Sequence, residues 1–341
     1  MKITAQQIKK LVEKVSQVII VSHENPDGDA IGSSLALGRF LQLLGKEVTI
    51  ALPGPFPTYY QWMSGSDKIV YYAKDQEYIT NVLIRSDTLF AVDISTLSRT
   101  GKMAETLSQF KGTRVLIDHH IHPCHDEFDH VFSDVTVSST SELIYHLIDM
   151  MGLTDKIDEQ MAEALYVGIM TDTGSYSFNC NSPMTYDVTA QLVRKGILPD
   201  RIHKLVYDNN TENRIRLLGY ALEKMVVLPE FHTAYIALDR DELLRNKSQI
   251  GDTEGIVNFA LSIKGVVLAA FFSLRDGEIK ISFRSKGRFS VNDFAKNHFN
   301  GGGHLNAAGG SFKGKIKDAV KAFVDTLPDY QKELSKHNEG F

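Results

Sequence analysis

The sequence predicts an α/β protein with two domains: an N-terminal domain whose mostly parallel sheet is wrapped by helices, and a smaller C-terminal α/β domain. Two observations support this prediction. In the first half of the chain, short apolar runs rich in β-branched residues alternate with helical patterns, which is typical of buried parallel strands. The chain also has 341 residues, a length that usually divides between two hydrophobic cores.

Buried strands are predicted throughout the first domain, and a helix from Asp29 to Leu44 follows the first of them. The strands are Val15–His23, Lys46–Leu52, Asp87–Ile94 and Gly112–His120. Ligands of such sheets bind at the loops that leave the carboxyl ends of the strands, so these loops are the first candidates for a functional site.

Helical patterns follow, and strands return in the last third of the chain. The helices are Ser138–Thr171 with a break near Gly152–Thr154, Asn181–Gly196 and Pro199–Lys224, and the strands are Phe231–Asp239, Gly265–Leu274 and Gly277–Ser285. We therefore predict a first domain at 1–190, a helical connection at 191–220, a second domain at 221–328 and a polar tail that frays at 329–341.

The composition predicts a soluble, cytoplasmic protein. The longest apolar run, Val266–Phe272, is too short to span a membrane, and the amphipathic N-terminus lacks the features of a secretory signal. Two distant cysteines, Cys124 and Cys180, do not make a disulfide framework. The net charge of −5 gives no overall attraction for a nucleic-acid backbone, so an anionic substrate would need local positive charge.

The first candidate site lies in the loop after the first strand, which carries His23, Asp27 and Asp29. Gly28 allows the chain to turn tightly between the two aspartates. A histidine with two carboxylates suits a divalent ion such as Mn²⁺ or Mg²⁺. The alternative is that both aspartates cap the following helix and that His23 is a surface residue.

Similar residues end two further strands and one helix. Asp93 ends the third strand, His119 and His120 end the fourth, and Asp172 follows an apolar helix. Neighbouring residues of an extended strand point in different directions, so one histidine can bind a metal ion while the other faces a substrate. Together with the first loop, these residues suffice for two metal ions that share a carboxylate. Taken singly, each aspartate also fits a capping or turn position.

A structural zinc site is an alternative for the histidine-rich stretch that runs from His119 to His130. Its spacing lacks the paired motifs of such sites. We therefore interpret His122, Cys124 and His125 as parts of a solvated loop.

The second domain contains a basic segment, Phe283–Ala295, and a glycine-rich segment that ends in Gly301–His304. A glycine-rich backbone can approach phosphate oxygens closely, and His304 adds a side-chain donor. The alternative is a tight turn that carries a solvated histidine.

Taken together, these motifs resemble those of the DHH family of phosphoesterases. The matching positions are the opening His23, Asp27 and Asp29, the lone aspartates Asp93 and Asp172, and the triplet Asp118-His119-His120 that names the family. Gly301–His304 resembles the associated substrate-binding domain, DHHA1. The resemblance runs from about Val15 to Phe312, and the length and layout are most similar to the branch of nanoRNases and pAp phosphatases.

The resemblance implies a centre of two divalent ions, Mn²⁺ first and Mg²⁺ as the alternative, in a cleft between the two domains. The implied ligands are His23, Asp27 and Asp93 for one ion, and Asp29, Asp93, His119 and Asp172 for the other. His120 would contact the substrate phosphate, and Asp118 would orient a histidine. The substrate-binding residues would be Arg284, Ser285, Gly302, Gly303 and His304, with Arg99 supplying charge that some relatives carry on an arginine after Asp172.

The implied reaction is hydrolysis of very short oligoribonucleotides, linear dinucleotides or 3′-phosphoadenosine 5′-phosphate, through in-line attack by a hydroxide that both metal ions hold. Related alternatives are a cyclic-dinucleotide phosphodiesterase and an inorganic pyrophosphatase, and the alternative outside enzymes is a nucleotide-binding protein with an inactive centre. We expect a short RNA or small nucleotide as partner, without long duplex nucleic acid or a membrane. The chain is compatible with a homodimer.

Overall fold

The structure is a computed structural model and describes residues 3–249, 251–275 and 277–338. The chain divides into two compact units, Met1–Asn209 (unit 1) and Asn210–Phe341 (unit 2). Within the described residues, each unit contains one six-stranded sheet with helices. The predicted α/β class, with a parallel sheet first and a second α/β unit after it, is confirmed.

The sheet of unit 1 is parallel throughout its described strands and has the order β3-β2-β1-β4-β5-β6. Its strands are β1 (Gln17–Val21), β2 (Glu47–Leu52), β3 (Val70–Tyr71), β4 (Thr88–Val92), β5 (Thr113–Asp118) and β6 (His130–Ser133). The strand order reverses between β1 and β4, so the loops after these two strands diverge and open a crevice at their carboxyl ends. The edge strands β3 and β6 were not predicted, because runs of 2 and 4 residues are too short to show a periodic pattern.

Two helices of unit 1 place candidate residues at this edge of the sheet. The helices are α1 (Ala5–Lys14), α2 (Gly28–Leu43), α3 (Tyr72–Arg85), α4 (Met103–Ser108), α5 (Thr140–Met150), α6 (Glu159–Asp172), α7 (Pro183–Val193) and α8 (Pro199–Tyr207). A Cβ atom on Gly32 of α2 would lie 2.4 Å from the carbonyl oxygen of Ala164 in α6, so glycine permits the two helices to pack closely. This packing brings the start of α2 and the end of α6 to the same region.

The sheet of unit 2 is mixed and has the order β11-β12-β10-β9-β8-β7, in which β8 and β9 are parallel and the other described pairs are antiparallel. Its strands are β7 (Val226–Leu228), β8 (Thr233–Leu238), β9 (Leu268–Arg275), β10 (Glu278–Ser285), β11 (Gly302–Gly303) and β12 (Ala307–Phe312). Its helices are α9 (Glu212–Glu223), α10 (Arg240–Arg245), α11 (Ile256–Leu261), α12 (Val291–His298) and α13 (Ile316–Asn338). Buried phenylalanine rings, among them Phe272, Phe283, Phe294 and Phe323, fill the core on one face of this sheet.

The predicted helical connection at 191–220 is divided between the units, because α8 ends in unit 1 and α9 begins in unit 2. The side chain of Thr211 caps α9 and separates it from α8. The prediction of a frayed tail at 329–341 is wrong for most of that segment, because α13 continues to Asn338. Leu334 is fully buried and the Tyr330 ring packs on Phe294, which holds this part of the helix to unit 2. Residues 339–341 lie outside the described residues.

No helix in the described part of the chain is both long enough and apolar enough to cross a membrane.

Candidate metal centre

The candidate centre lies in unit 1 at the carboxyl ends of β1, β4 and β5, next to the start of α5 and the end of α6. His23 follows β1, Asp93 follows β4, and His119 follows β5. All three are buried, although histidine and aspartate side chains normally remain in contact with water unless they are paired or bind a ligand. The crevice where the strand order reverses therefore holds the buried polar side chains that the sequence predicted as metal ligands.

His23, Asp27 and Asp93 form the first set of ligand atoms. The His23 Nε2 atom lies 3.7 Å from Asp27 Oδ1 and 3.5 Å from Asp93 Oδ2. The His23 Nδ1 atom lies 2.9 Å from the carbonyl oxygen of Glu24, to which it donates, and this contact turns Nε2 toward the carboxylates. Two ligands bound at about 2.1 Å to one ion lie roughly 3–4 Å apart, depending on the angle between them, so these separations fit a shared divalent ion.

Asp29, Asp93, His119 and Asp172 form the second set. The His119 Nε2 atom lies 3.3 Å from Asp172 Oδ2, 3.7 Å from Asp93 Oδ1 and 3.9 Å from Asp29 Oδ2. Asp93 thus presents Oδ2 to the first set and Oδ1 to the second. This is the division of oxygen atoms that a carboxylate bridging two ions requires.

The electrostatics of this cluster favour a cation. Burial alone lowers the pKa of His23, but the carboxylates of Asp27 and Asp93 outweigh burial and raise it to about 10. Burial, followed by the charge of Asp93, raises the pKa of Asp29 well above its usual range. Buried carboxylates that repel each other are stabilised when a divalent ion lies between them, and the ion then takes the place of the proton on His23.

Asp93 has an unusual backbone conformation, with φ of +58°. Aspartate is one of the few residues other than glycine that visits this left-handed region at small cost. The amide of Asp93 donates to the carbonyl oxygen of Ile117 at 3.1 Å, so the turn is held to β5. The turn directs the carboxylate between the two sets rather than along the strand.

The start of α5 supports the cluster, and sequence reasoning missed this contribution. The backbone amides of Thr140 and Ser141 donate to the two oxygens of Asp29 at 2.7 and 2.9 Å, and the Thr140 hydroxyl donates to Asp93 Oδ1 at 3.0 Å. The buried carboxylate of Glu142 holds this turn, because it accepts from the Ser138 amide at 2.9 Å and from Thr185 Oγ1 at 3.0 Å. The only signal in the sequence is the run of hydroxyl residues before an acidic residue at 138–142.

His120 occupies a different environment from His119. Its Nδ1 atom lies 2.7 Å from Asp118 Oδ1, and its Nε2 atom lies 2.9 Å from Arg99 Nη1. A guanidinium group can only donate, so Nε2 accepts and Nδ1 carries the proton toward Asp118. Burial lowers the pKa of His120 well below its usual value, which agrees with a neutral ring.

His122, Cys124, His125 and His130 join none of the groups of potential metal ligands in the described part of the chain.

Comparison with known proteins agrees with this geometry. Residues 17–169 match the model of the DHH family N-terminal domain, and residues 243–333 match that of the DHHA1 domain. The chain belongs to the DHH family. The predicted family and the prediction of a phosphoesterase are therefore confirmed.

Relatives of similar length share this organisation. The bifunctional oligoribonuclease and PAP phosphatase NrnA of Thermus thermophilus is 29% identical over 335 residues, which cover 97% of this chain and 93% of that protein. The protein of the same name from Bacillus subtilis is 26% identical over 325 residues, covering 94% and 97%. The crystal structure of an exopolyphosphatase-related protein from Bacteroides fragilis is 40% identical, with a TM-score of 0.91 and coverage of 97% of both chains.

In the DHHA1 domain, Ser285 makes hydrogen bonds within the fold. Its side chain is buried, and its hydroxyl donates to the Phe289 carbonyl oxygen at 2.7 Å and accepts from Asn306 Nδ2 at 2.9 Å. The neighbouring Arg284 is half-buried and donates from Nη1 to the carbonyl oxygen of Phe283 at 3.0 Å. These hydrogen bonds close the loop after β10, and a contact of Ser285 with substrate stays a prediction.

The glycine-rich segment of the DHHA1 domain is also largely explained by packing. The Gly303 amide donates to buried Asn292 at 3.0 Å, and the His304 amide donates to Ala307 at 2.7 Å. A Cβ atom on Gly301 would lie 2.0 Å from the Gly309 oxygen, whereas one on Gly302 would meet nothing closer than 3.4 Å. The Gly303 amide is therefore engaged within the fold, and substrate contacts of Gly302, Gly303 and the half-buried His304 side chain stay predictions.

Proposed function

We propose that this protein hydrolyses phosphodiester and phosphomonoester bonds in very short oligoribonucleotides, linear dinucleotides and 3′-phosphoadenosine 5′-phosphate, with two divalent ions as cofactor, Mn²⁺ in preference to Mg²⁺. The observation that carries the proposal is the division of the Asp93 oxygens between two groups of ligand atoms. The NrnA relatives, named as oligoribonucleases and PAP phosphatases, support the choice of substrate.

The proposed ligands are His23, Asp27 and Asp93 for one ion, and Asp29, Asp93, His119 and Asp172 for the other. When bound, the ions lower the pKa of water and supply positive charge at phosphorus. The chain holds its own groups ready for this reaction: α5 fixes the carboxylates of Asp29 and Asp93 by hydrogen bonds. Preorganised ligands of this kind need little reorganisation during the reaction.

Arg99 and His120 are proposed to contact the substrate phosphate. Asp118 fixes the ring of His120, and Arg99 shares a hydrogen bond with the far side of that ring. A phosphate oxygen is negatively charged and would be a stronger acceptor for Arg99 than a neutral imidazole. We propose that substrate replaces His120 as the acceptor of the guanidinium group and thereby approaches the metal ligands.

The charge balance assigns a role to the DHHA1 domain. The four aspartates of the proposed ligand sets carry four negative charges, which two divalent ions cancel, so the centre alone offers little net attraction for an anion. We propose that Arg284 and His304 bind terminal phosphates or the sugar-phosphate backbone of the substrate. The Ser285 hydroxyl and the Gly303 amide already make internal hydrogen bonds, so Arg284 and His304 are the stronger candidates for this role.

The decisive experiment compares the products from 5′-labelled oligoribonucleotides of two to about ten residues with those from 3′-phosphoadenosine 5′-phosphate. We expect turnover to fall steeply above about five nucleotides, because a compact site accommodates few residues. Equal rates on dimers and 20-mers would point to a processive exonuclease. Faster turnover of a cyclic dinucleotide or of pyrophosphate would support one of the related activities instead.

The metal requirement is tested on chelator-treated protein. We expect Mn²⁺ to restore turnover at least as well as Mg²⁺, because the ligand set mixes imidazole with carboxylates. Restoration by Zn²⁺ alone would contradict the proposed cofactor.

A further inference from the structure

The segment that follows Asp172 differs in character from the rest of the centre. Residues 173–186, here called the aromatic loop, contain no charged side chain. Three large apolar side chains of this loop are exposed: Phe178 by 43%, Met184 by 51% and Tyr186 by 50%. An exposed apolar group directly after a proposed metal ligand calls for an explanation, because elsewhere the centre presents charged groups.

The backbone of this loop adopts an unfavourable left-handed conformation. Gly174, Ser175 and Tyr176 have φ values of +54°, +57° and +62° in succession. Left-handed geometry is unfavourable for serine and tyrosine, and persists only where the surrounding structure imposes it.

Buried Thr173 imposes this geometry. Its carbonyl oxygen accepts from the amides of Ser177 and Phe178 at 2.8 and 2.9 Å, and its hydroxyl accepts from the Tyr176 amide at 3.0 Å. The Tyr176 ring stacks on Tyr186, with centroids 5.8 Å apart. The loop is therefore a rigid element rather than a loose connection.

The result of this geometry is the position of Phe178. Its ring lies against Gly174, where a Cβ atom would come within 2.2 Å of Phe178 Cε2. Gly174 is two residues after Asp172, so their Cα atoms are at most roughly 7–8 Å apart. Asp172 in turn lies 3.3 Å from His119. The exposed ring is thus tied to the side of the centre that holds His119.

The residues around His120 have a different chemistry. Arg99 lies against His120, and its guanidinium offers a charged group for a phosphate. The aromatic loop offers an uncharged, planar surface, which suits an uncharged planar part of the same ligand. In a nucleotide that part is the base.

We propose that Phe178 is a stacking surface for the nucleobase adjoining the phosphate at the metal centre. The inference rests on the proposed function for the phosphate and adds a residue that selects nucleotides over other phosphate esters. Aromatic stacking tolerates every base, because each has a flat π-face. Phe178 therefore gives preference for a nucleotide without preference for a sequence.

The test uses metal-loaded, full-length protein and the variants Phe178→Ala, Phe178→Leu and Phe178→Tyr. The substrates are a dinucleotide and the same molecule with an abasic residue next to the scissile phosphate. We expect Phe178→Ala to raise KM for the dinucleotide about 5- to 150-fold, and to leave the abasic substrate within about twofold. Phe178→Tyr should bind the dinucleotide about as well as wild type, because tyrosine keeps the π-face. Phe178→Leu should bind it as weakly as Phe178→Ala, because leucine keeps apolar packing on Gly174 but has no π-face.

Tyr78→Ala is the matched control, because Tyr78 is also 50% exposed but lies beside Gln17 at the amino end of β1, away from the centre. It should change KM for neither substrate. An equal KM for the dinucleotide in Phe178→Leu and Phe178→Tyr would overturn the proposal in favour of simple packing. An equal loss on both substrates in Phe178→Ala would overturn it in favour of a general role in folding the loop.

A binding measurement separates this inference from the proposed function. Adenosine 5′-monophosphate should bind wild-type protein more tightly than ribose 5-phosphate does, and Phe178→Ala should abolish that difference. This comparison needs no turnover, so it decides the role of Phe178 even if wild type fails to hydrolyse every nucleotide tested. Such a failure would contradict the proposed function alone. An unchanged difference in Phe178→Ala would contradict the stacking surface alone.

Discussion

The metal centre of unit 1 and the glycine-rich segment of unit 2 both looked like ligand-binding motifs in the sequence, but the structure treats them differently. In unit 1, histidine and aspartate side chains converge to separations of 3.3–3.9 Å, and the charge of Asp93 raises the pKa of buried Asp29, so these two carboxylates repel each other. In unit 2, the Gly303 and His304 amides and the Ser285 hydroxyl make hydrogen bonds that build the fold itself. Polar groups that destabilise the fold are therefore stronger evidence of function than groups that support it.

The largest effect is expected at Asp93. Asp93→Asn keeps the shape of the side chain, and asparagine also tolerates a φ of +58°, so the turn should survive. The change removes the charge that both ligand sets share. We expect turnover to fall at least about a thousandfold and bound metal to drop below two ions per chain, as measured by steady-state kinetics and elemental analysis.

The exposed Asp200 on α8 serves as the control for Asp93, because Asp200→Asn removes one negative charge from a residue outside both proposed ligand sets. Its turnover and metal content should match those of wild type. Activity of Asp93→Asn within a few-fold of wild type would show that Asp93 is not a metal ligand. It would also contradict the view that the buried cluster of unit 1 is a functional metal centre.

The adjacent histidines provide the next test. His120→Ala should retain its metal ions but lose about 10²- to 10⁴-fold in turnover, because His120 contacts Asp118 and Arg99 and is proposed to act on the substrate. His119→Ala should lose metal, because its Nε2 atom lies among the carboxylates of the second set. Metal loss from His120→Ala instead would mean that the two roles are assigned the wrong way round.

Much of this centre could be predicted from sequence, for a physical reason. Metal chemistry restricts ligands to a few residue types, and the carboxyl ends of parallel strands bring them together. The contribution of Thr140 could not be predicted in this way. It reaches Asp29 across 111 residues through a backbone amide, and any residue type can supply an amide. Ser285 shows the converse, since the family resemblance implied a substrate contact, whereas the hydrogen bond from Asn306 is not indicated by the sequence.

A smaller effect is expected in unit 2 from the proposed phosphate ligands. Arg284→Ala and His304→Ala should each raise KM about 10- to 100-fold, because each removes a charged or polar contact to the substrate. Ser285→Ala should leave KM unchanged and lower the free energy of unfolding by about 1–2 kcal/mol, because Asn306 and the Phe289 carbonyl lose their partner. An unchanged KM in both Arg284→Ala and His304→Ala would leave unit 2 without a demonstrated role in substrate binding.

Gly301 and Gly302 of unit 2 differ in how closely other atoms approach them, and this difference can be tested. Gly301→Ala should destabilise the protein by about 1–3 kcal/mol, because the new Cβ atom would lie 2.0 Å from the Gly309 oxygen and the strands must shift. Gly302→Ala should change stability by less than about 0.5 kcal/mol, because the nearest atom is at 3.4 Å. Thermal unfolding measures both variants. A raised KM in Gly302→Ala at unchanged stability would show that the backbone at this position approaches the phosphate after all.

The last prediction concerns Glu142, whose buried carboxylate holds the turn that supports Asp29 and Asp93. Burial alone raises the pKa of Glu142, but hydrogen bonds from His146, Ser138 and Thr185 outweigh burial and lower it below 4.5. A carboxyl group whose pKa is lower in the folded than in the unfolded protein stabilises the fold above the unfolded pKa, and this stabilisation is lost as the pH falls through the folded pKa. Glu142→Gln should therefore lower the free energy of unfolding of metal-free protein by about 1–2 kcal/mol at pH 7, and the difference from wild type should shrink below about pH 4.

Denaturant unfolding of both proteins between pH 3 and 7 measures this difference directly. A difference that stays constant across this range would show that Glu142 acts through its shape rather than its charge, and that the support of the metal centre does not depend on an ionised group.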